Sequence, residues 1–350
     1  MKLSIRLGII SLTLAMGSAA AQAQQKWGPV KVIDQSSGKD VVVDYTPLDK
    51  ASKPWNLCVL FPHMKDSLWV AVAYGIVEEA KRQGVRMTLL QAGGYDSLPK
   101  QLSQYDDCVA AKADAIIVGA ISEAGMIGKL KEGAQKGIVQ VAVVNPVPNA
   151  PIEAKVSVDY VTMGGYAAKH LLDTQAGKPA NVVAFPGPQG SGWAEAFLKG
   201  FKDSLASSNV KLLDTKFGDT GVAIQQRLVE DAVQAYSNID WIWGTPPTVE
   251  AAIGVLAEAG LSKKVRIIAE NENQAMLNGV RKGTVNSFVT LWPVLEARMA
   301  VDQAIRALEK KPTLKSSMVI PVTVTSKNLE ALDLSLIFAP TTWRPVYSVN

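Results

Sequence analysis

The sequence predicts an α/β protein built as two Rossmann-like lobes, each with a parallel sheet, facing one another across a hinged cleft. Three observations carry that expectation. Short apolar runs without polar alternation are separated by longer helical patterns, the programme restarts near residue 160, and one loop pattern occurs in both halves. Apolar runs of this kind are strands buried on both faces, as in a parallel sheet covered by helices.

In the first half, Leu57–Phe61, Met87–Leu90, Ala115–Val118 and Val139–Val144 read as strands. Trp69–Gln83, Leu98–Ala111 and Ala124–Lys136 read as the helices between them, with Gly84 stopping the first. In the second half, Val182–Phe185, Lys211–Leu213, Trp241–Trp243 and Arg266–Ala269 are the strands. Trp193–Leu205, Ile224–Tyr236 and Val249–Ala259 are their helices. Trp241 and Trp243 alternate with Ile242 and are expected in the core.

The repeat is literal at one place. Phe61-Pro62 with Ser67 and Trp69, and Phe185-Pro186 with Ser191 and Trp193, share the pattern F-P-x4-S-x-W. In each half this loop joins the first strand to the first helix. Ligands of open parallel sheets meet the loops beyond the strands' carboxyl ends, so Trp69 and Trp193 are expected to face a shared cleft from opposite lobes. Asp159, Tyr160, Thr245, Glu270, Asn271, Glu272 and Trp292 also stand at or just past strand ends and join them as candidates. Aromatic faces attract methylated or cationic nitrogens and also stack on sugars, so the rings alone leave both ligand classes open.

Composition narrows the function. The chain has 350 residues, 48% of them hydrophobic, and a net charge of +4 from 36 Lys+Arg against 32 Asp+Glu, with no basic cluster that suggests nucleic acid. With two histidines and two cysteines, material for a metal site or a triad is scarce, and no cofactor is expected. His63 reads as a loop residue and His170 as a boundary residue of a helix. The sequence lacks G-x-G-x-x-G, a Walker motif, H-E-x-x-H and G-x-S-x-G. Gly187–Gly192 resembles a phosphate loop but has no lysine. Binding is expected rather than catalysis.

Met1 to Arg6 is basic, Leu7 to Met16 is apolar, and Ala21-Gln22-Ala23 is a cleavage signature, so residues 1–23 read as an export signal. No stretch approaches the roughly 18 apolar residues of a membrane span. The mature protein is expected to be periplasmic and not membrane-embedded. An oxidising compartment permits Cys58 and Cys108 to pair, with two buried thiols as the equal alternative.

Several segments are similar to type I periplasmic substrate-binding proteins, and among them to receptors for trimethylamine N-oxide. They are Trp55–Pro62, Lys65–Trp69, Tyr74-Gly75, Ala92–Tyr95, Pro186–Pro188 with Gly192, Val301–Ile305 and Trp343–Tyr347. The resemblance implies a protein without catalytic activity that binds a small molecule between its lobes. It also implies a partner, the periplasmic domain of a membrane sensor histidine kinase. By position, Trp69 and Tyr74 match the family's first-lobe aromatics, and Tyr160 stands where the family has Trp. Leu68 and Asn271 replace family tyrosines, whereas Trp193 and Trp292 are aromatic where the family is not. Asp159 matches an acid that meets hydroxyls in sugar-binding members, so a transport role for a sugar or amine is the other expectation. The expected division is a 24–53 extension, lobe one over 54–159 and 290–318, and lobe two over 160–289 and 319–347.

Overall fold

The computed structural model describes residues 27–145, 147 and 149–350. The expected export signal at 1–23 lies outside the described residues. The chain opens with β1 (Val30–Asp34) and β2 (Val41–Tyr45). There follow β3 (Asn56–Phe61), α1 (Ser67–Gln83), β4 (Arg86–Gln91), α2 (Leu98–Ala110), β5 (Ala115–Val118), α3 (Glu123–Gln135), β6 (Val139–Val143) and β7 (Ala154–Ser157). The second lobe comprises α4 (Tyr160–Gln175), β8 (Ala180–Phe185), α5 (Trp193–Leu205), β9 (Val210–Thr215), α6 (Val222–Ala235), β10 (Trp241–Gly244), α7 (Pro246–Glu258), β11 (Arg266–Ala269), α8 (Gln274–Lys282) and β12 (Phe288–Val289). The chain closes with α9 (Pro293–Leu308), β13 (Ser316–Val319), β14 (Thr323–Val324) and β15 (Ser348–Val349).

The first sheet runs β15-β4-β3-β5-β6-β7-β13-β1-β2, and the second runs β11-β10-β8-β9. From β4 to β13 the first sheet is parallel, as is all of the second. Each sheet places the first strand of its βα series between the second and third. β3 lies between β4 and β5, and β8 lies between β9 and β10. Successive helices leave such a strand toward opposite faces, which opens a crevice at its carboxyl end. The F-P-x4-S-x-W loop follows this strand in both lobes.

Trp241 and Trp243 are buried as expected, with Trp243 stacked on Phe201 at 4.1 Å between centroids. Three passages connect the lobes between β7 and α4, β12 and α9, and β13 and β14. β14 returns to pair with β12.

Two regions read differently from the sequence expectation. The 24–53 extension contributes β1 and β2, which extend the first sheet antiparallel from β13. The expected lobe-two span of 319–347 also needs correction, because its end returns to lobe one. Trp343 packs edge-on against Tyr74 of α1 at 5.6 Å, the Tyr347 carbonyl accepts from the Leu89 N–H, and β15 pairs with β4. The driving force is the open edge of β4, whose backbone groups need partners.

Cys58 of β3 and Cys108 of α2 are joined in a disulfide, with Cα atoms 5.8 Å apart and both side chains buried. It closes a loop spanning 50 residues of sequence and fastens α2 to the central strand. Replacing both cysteines by serine is expected to cost about 2–4 kcal/mol, read as a lower urea midpoint. An unchanged midpoint would show that packing alone holds α2.

Candidate functional site

The first loop is shaped by a helix cap. Asp66 precedes α1 and accepts the Trp69 N–H at 3.1 Å, satisfying one of the donors that a helix N-terminus leaves open. This seats Trp69 at the mouth of the crevice. The indole is fully buried, tilted against Phe61 at 4.7 Å between centroids, and it lies over Gly119 beyond β5. A Cβ at Gly119 would come within 2.3 Å of that ring, so only glycine leaves it room. In the second lobe Glu195 accepts from the Gly190 and Gly192 N–H groups at 2.6 and 2.9 Å, fixing the loop before Trp193.

The two loops meet in a closed arrangement. Thr220, in the loop between β9 and α6, reaches Asp66 Oδ2 and His63 Nε2, both at 3.2 Å. Lys65 pairs with Asp219 at 2.9 Å. Tyr95, beyond β4, packs edge-on against Trp193 at 5.9 Å and against His63 at 5.3 Å. The cap of the first helix is thus also a contact between lobes.

Between them lies a cavity walled by Trp69, Tyr95, Tyr160, Trp193 and Phe197, with Asp66, Asn145, Thr220, Thr245, Asn271 and Glu272 as its main polar groups. Its volume is about 40 Å³, a few times what one water needs. Tyr160 is held by its hydroxyl, which donates to the Val144 carbonyl at 2.8 Å. Asn145 donates to the Tyr95 hydroxyl at 3.0 Å and to the Ala120 carbonyl. The Trp193 Nε1–H is buried without an acceptor.

Three buried acids stand at or behind the cavity. Glu272 accepts from the Leu291 and Trp292 N–H groups at 2.7 and 2.8 Å, and burial pushes its carboxyl up to about 7 although those N–H groups pull it down. Glu270 and Glu296 are fully buried with no hydrogen-bond partner for either oxygen. Burial raises both well above the usual carboxylate range, and the charge of Glu272 adds to the rise at Glu296. Burial lowers the imidazole of His63, opposed by Asp66 and Asp219.

Of the residues expected at the cleft, the structure brings Trp69, Tyr160, Trp193, Thr245, Asn271 and Glu272 to one cavity. Four of the expected site residues stand elsewhere. Tyr74 follows Trp69 by five residues, about 140° around the helix, and therefore faces Trp343 and the C-terminal tail. Asp159 caps α4, accepting from the Val161 N–H at 3.0 Å, and lines a separate depression on the far side of Tyr160. Trp292 precedes α9 in the left-handed conformation, φ 59°, and its indole N–H donates to the Ile320 carbonyl at 3.0 Å. It ties two interlobe passages together rather than lining the cavity. Glu270 is likewise buried behind the wall.

Asp66, Tyr95, Asn145, Phe197 and Thr220 were not anticipated. Phe197 follows Trp193 by one helical turn, a spacing visible in the sequence. The strand-end position of Tyr95 after Gly93-Gly94 was also legible, whereas Thr220 reaches the site only through the meeting of the lobes.

A fold of two parallel sheets with a closed, ring-walled cavity at their facing switch points defines a ligand-binding protein. Residues 57–312 match the periplasmic binding protein domain, and the chain belongs to that family, in its type I superfamily. It is 31% identical to periplasmic protein TorT of Escherichia coli K12 over 303 residues, 86% of each chain. An ABC transporter solute-binding protein from Bradyrhizobium sp. BTAi1, solved with bis-tris bound, is 42% identical, with a TM-score of 0.80 over 92% of this chain and 99% of that one. TorT in complex with the TorS sensor domain in the presence of trimethylamine N-oxide is 27% identical, with a TM-score of 0.77 over 84% and 99%. These are binding and receptor proteins, not enzymes, and the homologues are periplasmic. No helix among the described residues is long and apolar enough to cross a membrane.

The buried acids predict a pH effect on stability. Across the range between the ordinary carboxylate value and the raised native value, the native state keeps a proton that the unfolded chain has released. Each such group therefore lowers stability as pH rises. Glu296→Gln is expected to stabilise the ligand-free protein by an amount that grows as pH rises above the ordinary carboxylate value. Thermal unfolding at several pH values checks this, and a gain independent of pH would contradict it.

Proposed function

We propose that this chain is an exported periplasmic receptor that closes its lobes over a compact methylated amine, trimethylamine N-oxide or a relative of it. The closed form then engages the periplasmic domain of a sensor histidine kinase. The observation that carries this reading is the wall of five aromatic rings drawn from both lobes. Methyl groups on a nitrogen bear partial positive charge, so they pack on ring faces without needing hydrogen bonds. A sugar needs a polar partner for each buried hydroxyl, and a cavity of about 40 Å³ favours a smaller guest. Occupancy shifts the population toward the closed form because only that form offers both walls at once.

A second reading, the binding component of an ABC transporter for a sugar or amine, is favoured by the 42% identical solute-binding relative. Co-elution of the liganded protein with a kinase sensor domain supports the first reading. Stimulation of a permease ATPase supports the second.

Calorimetry against trimethylamine N-oxide, betaine, choline and a panel of sugars tests the ligand class, and the amines are expected to bind while the sugars do not. Trp193→Phe is expected to weaken amine binding several-fold with the fold intact by circular dichroism. Trp193→Ala is expected to weaken it further and to lower the melting temperature, because the indole is buried. Tight binding of a sugar with no amine bound would sink the reading.

A further inference from the structure

Glu272 stands where the cavity meets the hinge. The residue lines the cavity with the aromatic rings and is 2% exposed. Both oxygens accept from the Leu291 N–H, at 2.7 and 3.0 Å, and one also accepts from the Trp292 N–H at 2.8 Å. Those two residues form the passage from β12 to α9. Beside it, the Thr290 N–H donates to the Val322 carbonyl at 2.9 Å, and the Val322 N–H donates to the Thr290 hydroxyl at 2.7 Å. The Trp292 indole reaches Ile320 on the same neighbouring passage. One side chain therefore touches both the space for a guest and the backbone on which the lobes turn.

The groups around Glu272 are acidic. Glu270 lies on its own loop, Glu296 lies in the first turn of α9, and Asp66 caps α1 across the cavity. Tyr95 and Tyr160 add phenols, and no lysine, arginine or histidine is among the lining residues. His63 lies behind Trp69 and Tyr95, and Lys65 is paired with Asp219. Ionised Glu272 thus has backbone N–H partners but no cationic side chain among the lining residues, in a site whose rings suit a methylated cation.

We propose that Glu272 is the counter-ion for a permanently cationic methylammonium group and the positioning residue that conveys its arrival to the hinge. This rests on the methylated-amine reading and narrows it to cations rather than the zwitterionic N-oxide. A cation in the cavity holds the carboxylate ionised, and an ionised carboxylate is the stronger acceptor for the Leu291 and Trp292 N–H groups. Cation binding therefore tightens the hinge passage in its closed geometry.

Choline and its uncharged isostere 3,3-dimethylbutan-1-ol separate charge from shape. The wild-type protein is expected to bind choline at least about tenfold more tightly at pH 8. That advantage should shrink about tenfold by pH 6, as a carboxyl titrating near neutrality takes up its proton. In Glu272→Gln both the preference and its pH dependence are expected to vanish while the isostere's affinity stays. Hydrogen exchange in the peptide carrying Leu291 and Trp292 should slow on choline addition in the wild type only. Equal binding of the two compounds by the wild type, or a choline preference that survives Glu272→Gln, overturns the proposal. So does a pH-independent preference for trimethylamine N-oxide over choline, an outcome that leaves the methylated-amine reading standing. Failure of every methylated amine to bind overturns that reading and this inference together.

Discussion

The constraint on which the structure depends is strand order. In each lobe the first parallel strand, β3 or β8, lies between the next two, so the backbone itself opens a crevice at one end. Placing two such crevices face to face fixes where a guest enters and which loops can touch it. It also explains why the same F-P-x4-S-x-W pattern carries both indoles. Trp69 and Trp193 each lie in the first turn of the helix that leaves the switch point, so each stands at the edge of the gap. Caps do the fine positioning, with Asp66 acting locally on α1 and Glu195 holding the glycine-rich turn ahead of α5.

Closure rests on few polar contacts. Thr220 with Asp66 and His63, and Lys65 with Asp219, span the gap. The lysine is 41% exposed, and an ion pair of that exposure contributes little. On the proposed reading, such contacts are weak enough for a guest to decide between open and closed. The aromatic wall supplies the larger, less directional part of that decision. On the proposed reading, Glu272 supplies an electrostatic part, because it lines the cavity and holds the backbone of one passage.

Much of this was legible in the sequence, for physical reasons. Apolar strands and periodic helices stand out, so β5, β11 and α5 were read to the residue and the other elements named from the sequence to within about three, whereas β7, α4, α8 and α9 were not read. The additions at the sheet ends were not, since β1, β2 and β15 are short, partly exposed strands whose pairing is decided by a distant edge. The site divided along the same line. Residues placed by the local geometry of a strand end, such as Trp69, Trp193, Thr245 and Asn271, were readable, and so was the disulfide as one of two outcomes. Tyr74 misled because a positional match to the family's aromatics says nothing of helical phase. Trp292 misled because a ring at a crossing can serve the backbone instead of a ligand. Glu272 was legible as a position but not as a link, because its partners Leu291 and Trp292 come from another passage between lobes.

The two rims of the large sheet are finished differently. At one, β15 seals β4. At the other, β2 is open, with Val41 and Val42 48% and 60% exposed. Lys31 and Asp44 pair on that rim, and Asp40 stands at its start. Lateral growth of the sheet by recruiting a foreign strand is thus confined to one side, where fixed charges penalise indiscriminate zippering. The smaller sheet keeps two edges of its own, β11 and β9, so the charged rim at β2 guards the larger sheet alone.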